Sequence, residues 1–150
     1  MKFLKTTVLT LAALTLFSCN NDERKIRKAA QGYLDATGNY LIEEAYPYAT
    51  KETQETTLKY ITEVILPMTD SNYLKSNVPA TIVIDSILTQ EDTAWAFYTK
   101  TTPIKTYSST VCLIREDGKW LVDVPLVLSN SPLPLPSLPT DSDTTATTTE

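Results

Sequence analysis

The pattern of apolar and polar positions changes period once along the chain, near Asn72. Before that point it is helical. At about 100° per residue from Ile26, the residues Ala29, Ala30, Tyr33 and Thr37 gather on one face, while Arg24, Lys28, Gln31 and Asp35 take the other. Gly38 is the expected stop of this helix, because glycine readily enters the left-handed conformation that ends helices. A second, short helix is predicted over residues 40–46, ended by Pro47. A third is predicted from about residue 51 to 65, with Leu58, Ile61, Val64 and Ile65 on one stripe and Pro67 closing it. Its first half, Glu52 to Thr57, is polar, so only its last turns are expected to be anchored in a core.

Beyond Asn72 the pattern is extended, with strands predicted over residues 81–88, 93–100, 106–115 and 120–124. The second alternates Trp95 and Phe97 against Ala94, Ala96 and Tyr98. Asp117-Gly118 is a strong hairpin signal, since both residues tolerate the positive φ that a two-residue turn needs. Gln90-Glu91-Asp92 is expected to join the first two strands by a longer polar loop. Helices followed by an antiparallel meander make an α+β domain: two or three N-terminal helices packed on a sheet of about four strands, over residues 22–124. The 26 residues from Pro125 on hold 5 Pro, 4 Ser and 6 Thr, with neither aromatic nor basic residues. Such a tail, 125–150, is expected to be disordered, either a spacer or a Pro-rich ligand built on Pro132-Leu133-Pro134-Leu135-Pro136.

Charge and composition narrow the chemistry. Acids outnumber bases 18 to 13, the wrong sign for nucleic acid, whose phosphates require a basic footprint. With no histidine, imidazole acid–base catalysis, His-activated nucleophiles and most zinc sites are excluded. Three glycines are too few for a phosphate-cradling loop. No metal site and no cofactor are expected.

The N-terminus carries an address. Lys2 and Lys5 precede an uncharged run of 12 residues from Thr6 to Phe17, too short for a span of about 20 residues. The layout is that of a signal peptide over residues 1–18. Leu16-Phe17-Ser18-Cys19 resembles the bacterial lipobox. The resemblance implies a diacylglyceryl thioether on Cys19, cleavage before it, and residues 19–21 as anchor and short linker. Each buried methylene adds about 0.8 kcal/mol of membrane affinity, so two or three chains hold where one does not. Asn20 resembles the second mature residue of lipoproteins sent to the outer membrane, and Asp22-Glu23 resembles acidic surface-export tags. The expected location is the cell envelope, lipid-anchored to the outer membrane, with the surface-exposed and periplasmic faces both open. Lipidation of Cys19 leaves Cys112 unpaired, in an apolar strand that favours a buried thiol over a reactive one.

The order of elements, with the closing hairpin Cys112-Leu113-Ile114-Arg115-Glu116-Asp117-Gly118-Lys119-Trp120-Leu121-Val122, resembles the nuclear-transport-factor-2-like, cystatin-like superfamily, which includes ketosteroid isomerase. The resemblance implies a curved sheet wrapped around a long helix, a cone with an apolar mouth. It also implies candidate pocket residues Tyr33, Tyr46, Tyr60 and Tyr98 and, in enzymatic members, a carboxylate base inside the cone. Asp85 is the candidate base, and Asp123 is set outward by its alternation with Trp120 and Val122.

Trp95, Phe97 and Trp120 are read either as an apolar ligand box or as the core between sheet and helix. Arg24, Lys25, Arg27 and Lys28 are read either as a headgroup-facing patch or as a face balanced by Asp22, Glu23 and Asp35. Asp85-Ser86-Ile87, Asp92-Thr93-Ala94 and Asp143-Thr144-Thr145 resemble an O-glycosylation tripeptide of exported proteins. The function expected first is a non-catalytic outer-membrane lipoprotein binding a small apolar ligand or an envelope protein. An isomerase or lyase using Asp85, and an immunity or inhibitor protein, are the alternatives.

Overall fold

A computed structural model describes residues 4–126, with side chains from residue 21 on. The side chains of residues 1–20, Cys19 among them, and residues 127–150 lie outside the described residues, as does Asp143-Thr144-Thr145. Helix α1 spans Leu4–Gly38, and its face of Ile26, Ala29, Ala30, Tyr33 and Leu34 is buried, as the periodicity predicts. It lies across one face of a four-stranded antiparallel meander in the order β1-β2-β3-β4. The strands are β1 (Thr81–Gln90), β2 (Thr93–Thr101), β3 (Thr106–Glu116) and β4 (Lys119–Val122). The architecture is therefore α+β. The helix-facing side of the sheet carries Ile82, Ile84, Ala94, Ala96, Leu113 and Val122, all buried in the same core as α1.

α1 ends at Gly38 as expected, but its left-handed closing residue lies two positions on. Leu41 N–H donates to Ala36 at 2.9 Å and Tyr40 N–H to Thr37 at 3.3 Å. This is the paired closure that puts the residue between them in the left-handed region, here Tyr40 at φ 62. A Cβ at Gly38 would meet only ordinary van der Waals contacts, Ile82 Cδ1 at 3.4 Å and Ala80 Cβ at 3.6 Å.

Two α1 residues four positions apart, Arg27 and Gln31, with Asn39 just past the helix end, seal the edge of the sheet. Arg27 Nη1 donates to the Ile84 carbonyl at 2.9 Å and Gln31 Nε2 to the Ile82 carbonyl at 3.0 Å. Asn39 accepts from Ala80 N–H at 2.8 Å through its side-chain oxygen. Gln31, expected on the solvent face, is thus a bridge to β1.

Pro47 does not end the second helix. α2 (Ile42–Ala45) runs into a 3₁₀ turn, Tyr46–Tyr48, with Pro47 inside it, where its fixed φ fits and its missing N–H costs little. Residues 51–68 form one helical run, widened to π-type turns at Gln54–Leu58 and Ile61–Ile65 and closed by Leu66–Met68. Pro67 is accommodated in that last turn. A further short helix, Ser71–Ser76, capped by the Asp70 carboxylate, occupies a stretch with no sequence prediction.

The 51–68 run is anchored at its start more firmly than expected: Thr53 and Leu58 are fully buried, whereas in its last turns Ile61 and Leu66 only pack at the margin of the core and Ile65 (42 %) and Met68 (82 %) are exposed. Threonines hold the polar half against the chain leaving β4. Thr50 N–H donates to the Val122 carbonyl at 2.9 Å, and its hydroxyl donates to Asp123 Oδ1 at 2.9 Å. With that proton committed, the 2.9 Å contact between the Thr50 and Thr53 hydroxyls takes its proton from Thr53. Val124 N–H donates to Thr53 Oγ1 at 2.9 Å and Leu126 N–H to Thr56 Oγ1 at 3.1 Å. The Thr57 hydroxyl donates to the Val124 carbonyl.

Candidate functional site

The two turns of the sheet define where side chains emerge. Asp117 (φ 49) and Gly118 (φ 76) form the expected two-residue hairpin. The β1–β2 connection is tighter than the polar loop expected: Gln90 pairs with Thr93, leaving only Glu91 and Asp92 between strands, with Glu91 at φ 54.

Asp85 occupies a β-bulge. Ile84 pairs with Tyr98 and Ser86 with Phe97, so Asp85 is the extra residue between them. The bulge breaks the alternation that groups Asp85 with Val83 and Ile87 in the sequence. Val83 is 54 % exposed, while Ile87 packs on the core. The Asp85 carboxylate is exposed and accepts from the Thr99 hydroxyl at 2.8 Å. A base acting inside a cone would have to point the other way, so Asp85 is corrected from candidate base to surface residue. Asp123 is half-buried and engaged by Thr50.

The seven pocket candidates are not brought together in one site: Tyr46 and Tyr98 pack against the core that holds Tyr33 and Trp120, and the other three lie elsewhere. Tyr33 and Trp120 are buried between α1 and the sheet. Burial, followed by the nearby Tyr98, pushes the Tyr33 phenol up to about 12. Tyr60 lies in a separate open groove on the 51–68 run, beside Glu55, Lys59, Glu63, Val64 and Leu126. Trp95 and Phe97 are on the outer face, away from α1: Trp95 pairs with Cys112 and Phe97 with Thr110, while their neighbours Ala94 and Ala96 are fully buried. Neither the ligand box nor the core reading of these two aromatics holds. They belong to an uncovered face on which Val83, Leu88 and Phe97 are 54 %, 57 % and 40 % exposed. Cys112 is half-buried there, and burial, then Asp123, pushes its thiol above its ordinary value, away from the thiolate that reactivity requires. Ser86 is exposed on β1, and Thr93, half-buried, opens β2.

What the fold does gather is a groove of about 380 Å³ between α1, the 3₁₀ turn and the β3–β4 hairpin. Its rim carries Lys25, Lys28 and Lys119, and its apolar walls are Ala29, Pro47, Tyr48, Trp120 and Leu121. Lys25 and Lys28 reach one side because residues three apart share a helix face. Lys119 reaches the other because the Asp117-Gly118 turn folds β4 back beside α1. Lys119, Pro47 and Tyr48 were not legible as site residues: nothing in spacing couples them to α1. The signal nearest to them was the Lys25/Lys28 pair.

The acids closest in sequence are already committed. Asp22 pairs with Arg115 at 3.0 Å and Glu23 with Arg27 at 3.2 Å, so the two patch readings divide: the arginine takes the balancing acid and the lysines do not. Among the described residues, Lys25, Lys28 and Lys119 make no ion pair, and no cluster of side chains suited to a metal ion is found. Compared with known proteins, this chain matches no protein family, no curated protein and no solved structure.

Proposed function

We propose that this chain is an outer-membrane lipoprotein, tethered through a lipid thioether on Cys19, whose α+β domain binds rather than catalyses. Within this proposal the domain is a small-sheet version of the cystatin-like cone in which α1 fills the mouth. The observation that carries binding over catalysis is the outward, solvent-facing Asp85 carboxylate, bonded to Thr99 at 2.8 Å, because that residue was the candidate base. Support for binding at a surface comes from the side chains of α1 packed into the core between it and the sheet. An apolar ligand inside the cone would have to displace them. The anchor rests on the order of Lys2, Lys5, the apolar run and Leu16-Phe17-Ser18-Cys19. Among the described residues no helix is long and apolar enough to cross a membrane, and acyl chains provide attachment without one.

The test is metabolic labelling with an alkyne fatty acid, followed by fractionation. The expected outcome is label on the wild-type chain in the outer-membrane fraction and none on Cys19→Ala. An unlabelled wild-type chain in the soluble fraction overturns the anchor.

A further inference from the structure

We propose that the groove between α1 and the β3–β4 hairpin is a binding site for the phosphate-bearing head of an anionic amphiphile, the lysines taking the charge and Trp120, Tyr48 and Pro47 the adjoining apolar part. This deepens, and rests on, the reading of the domain as a tethered binding module.

Three observations converge on it. First, a chain of net charge −5 nevertheless places three lysines, and no acid, around one groove, and the acids just before Lys25 and Lys28, Asp22 and Glu23, are held by arginines. Such a rim attracts anions whatever the sign of the whole molecule. Second, the walls are apolar rather than polar, so a bare inorganic ion would leave Pro47, Tyr48 and Leu121 facing water, whereas an amphiphile covers them. Third, position agrees. Lys25 and Lys28 follow Cys19 on the same helix, about 9 and 14 Å along its axis at a rise of about 1.5 Å per residue, the depth at which a tethered domain meets headgroups.

The test uses the mature chain from residue 19 to 150 carrying Cys19→Ala. Every member of the core lies between Ile26 and Val124, so this chain keeps all of it. Trp95→Phe leaves Trp120 as the single tryptophan, since the chain has two, and its fluorescence is followed on titration with monomeric dihexanoyl-phosphatidylglycerol, dihexanoyl-phosphatidylcholine or inorganic phosphate. The expected result is saturable binding of the anionic lipid and none of the zwitterionic one, with inorganic phosphate failing to compete at equal concentration. Lys25→Glu/Lys28→Glu/Lys119→Glu should weaken that binding about tenfold or more, and the corresponding Lys→Arg triple should retain it. Equal binding of both lipids, full competition by inorganic phosphate, or an unaffected Glu triple overturns the proposal. The three lysines are exposed, and circular dichroism of each triple verifies that the fold persists.

Discussion

Helix α1 and the 51–68 run join the same sheet by opposite chemistry. α1 presents a continuous apolar face, with Ile26 and Ala30 fully buried and Tyr33 and Leu34 nearly so. The 51–68 run has a single fully buried large apolar side chain, Leu58, with Ile61 and Leu66 packed at the margin of the core, and is fastened through the hydroxyls of Thr53, Thr56 and Thr57 to the backbone of Val124 and Leu126. Apolar burial is non-directional and tolerates a regular helix. Hydroxyl-to-backbone bonds demand particular distances, and over this stretch the helix is widened: Lys59 N–H reaches the Gln54 carbonyl and Leu66 N–H the Ile61 carbonyl, five residues back. Hydropathy alone therefore locates the first kind of attachment and misplaces the second.

Truncation separates the two most strongly. Ile26→Ala removes a fully buried side chain from the α1 face and is expected to lower unfolding free energy by about 2–5 kcal/mol. The same change at Ile65, 42 % exposed at the end of the other helix, is expected to stay within about 0.5 kcal/mol. Chemical denaturation of the two variants checks this, and equal losses would remove the distinction.

The same contrast explains what was legible in the sequence. Alternation found β1 to β4 because period two is a backbone property that each strand displays unaided. Asp117-Gly118 was legible because its turn needs positive φ at both positions. The inward face of β2 was not. Ala94 and Ala96 are inside because α1 approaches closely, bringing its own small residues Ala29 and Ala30, and the larger Trp95 and Phe97 are turned outward. Size alone ranks those two pairs the other way. The orientation of Asp85 depends on a bulge, a feature of pairing between strands that neither strand reveals alone. The left-handed closure at Tyr40 was hidden because Gly38, two residues earlier, already satisfies the usual signal. The lysine-rimmed groove joins segments about ninety positions apart in sequence, from Lys28 to Lys119, beyond any periodicity.

A smaller effect isolates the hydroxyl fastening. Thr53→Val keeps the volume of a fully buried side chain but leaves Val124 N–H without its 2.9 Å acceptor. The expected loss is about 1–3 kcal/mol, with faster amide exchange at Val124. Thr53→Ser retains the acceptor and should cost less than Thr53→Val despite losing a methyl. If valine proves the milder change, apolar contact rather than hydrogen bonding holds this helix.

The smallest effect at neutral pH, and the one that distinguishes the two attachments by titration, belongs to Tyr33. Threonine hydroxyls do not ionise in the accessible range, whereas the α1 face includes a phenol pushed up to about 12 by burial and then by Tyr98. The ordinary tyrosine value is about 10. Below that value both folded and unfolded chains keep the proton, so Tyr33 ionisation leaves stability unchanged. Between about 10 and 12 the unfolded chain releases the proton while the folded chain retains it, so stability falls as pH rises through this window. Tyr33→Phe abolishes that fall while leaving any alkaline loss caused by other groups in place. Denaturation midpoints of both proteins across the window, with phenolate absorbance followed in parallel, should show the wild type losing stability more steeply than the variant. Parallel slopes would mean that the Tyr33 phenol is solvated in the folded protein and that the apolar face of α1 is looser than its packing against the sheet implies.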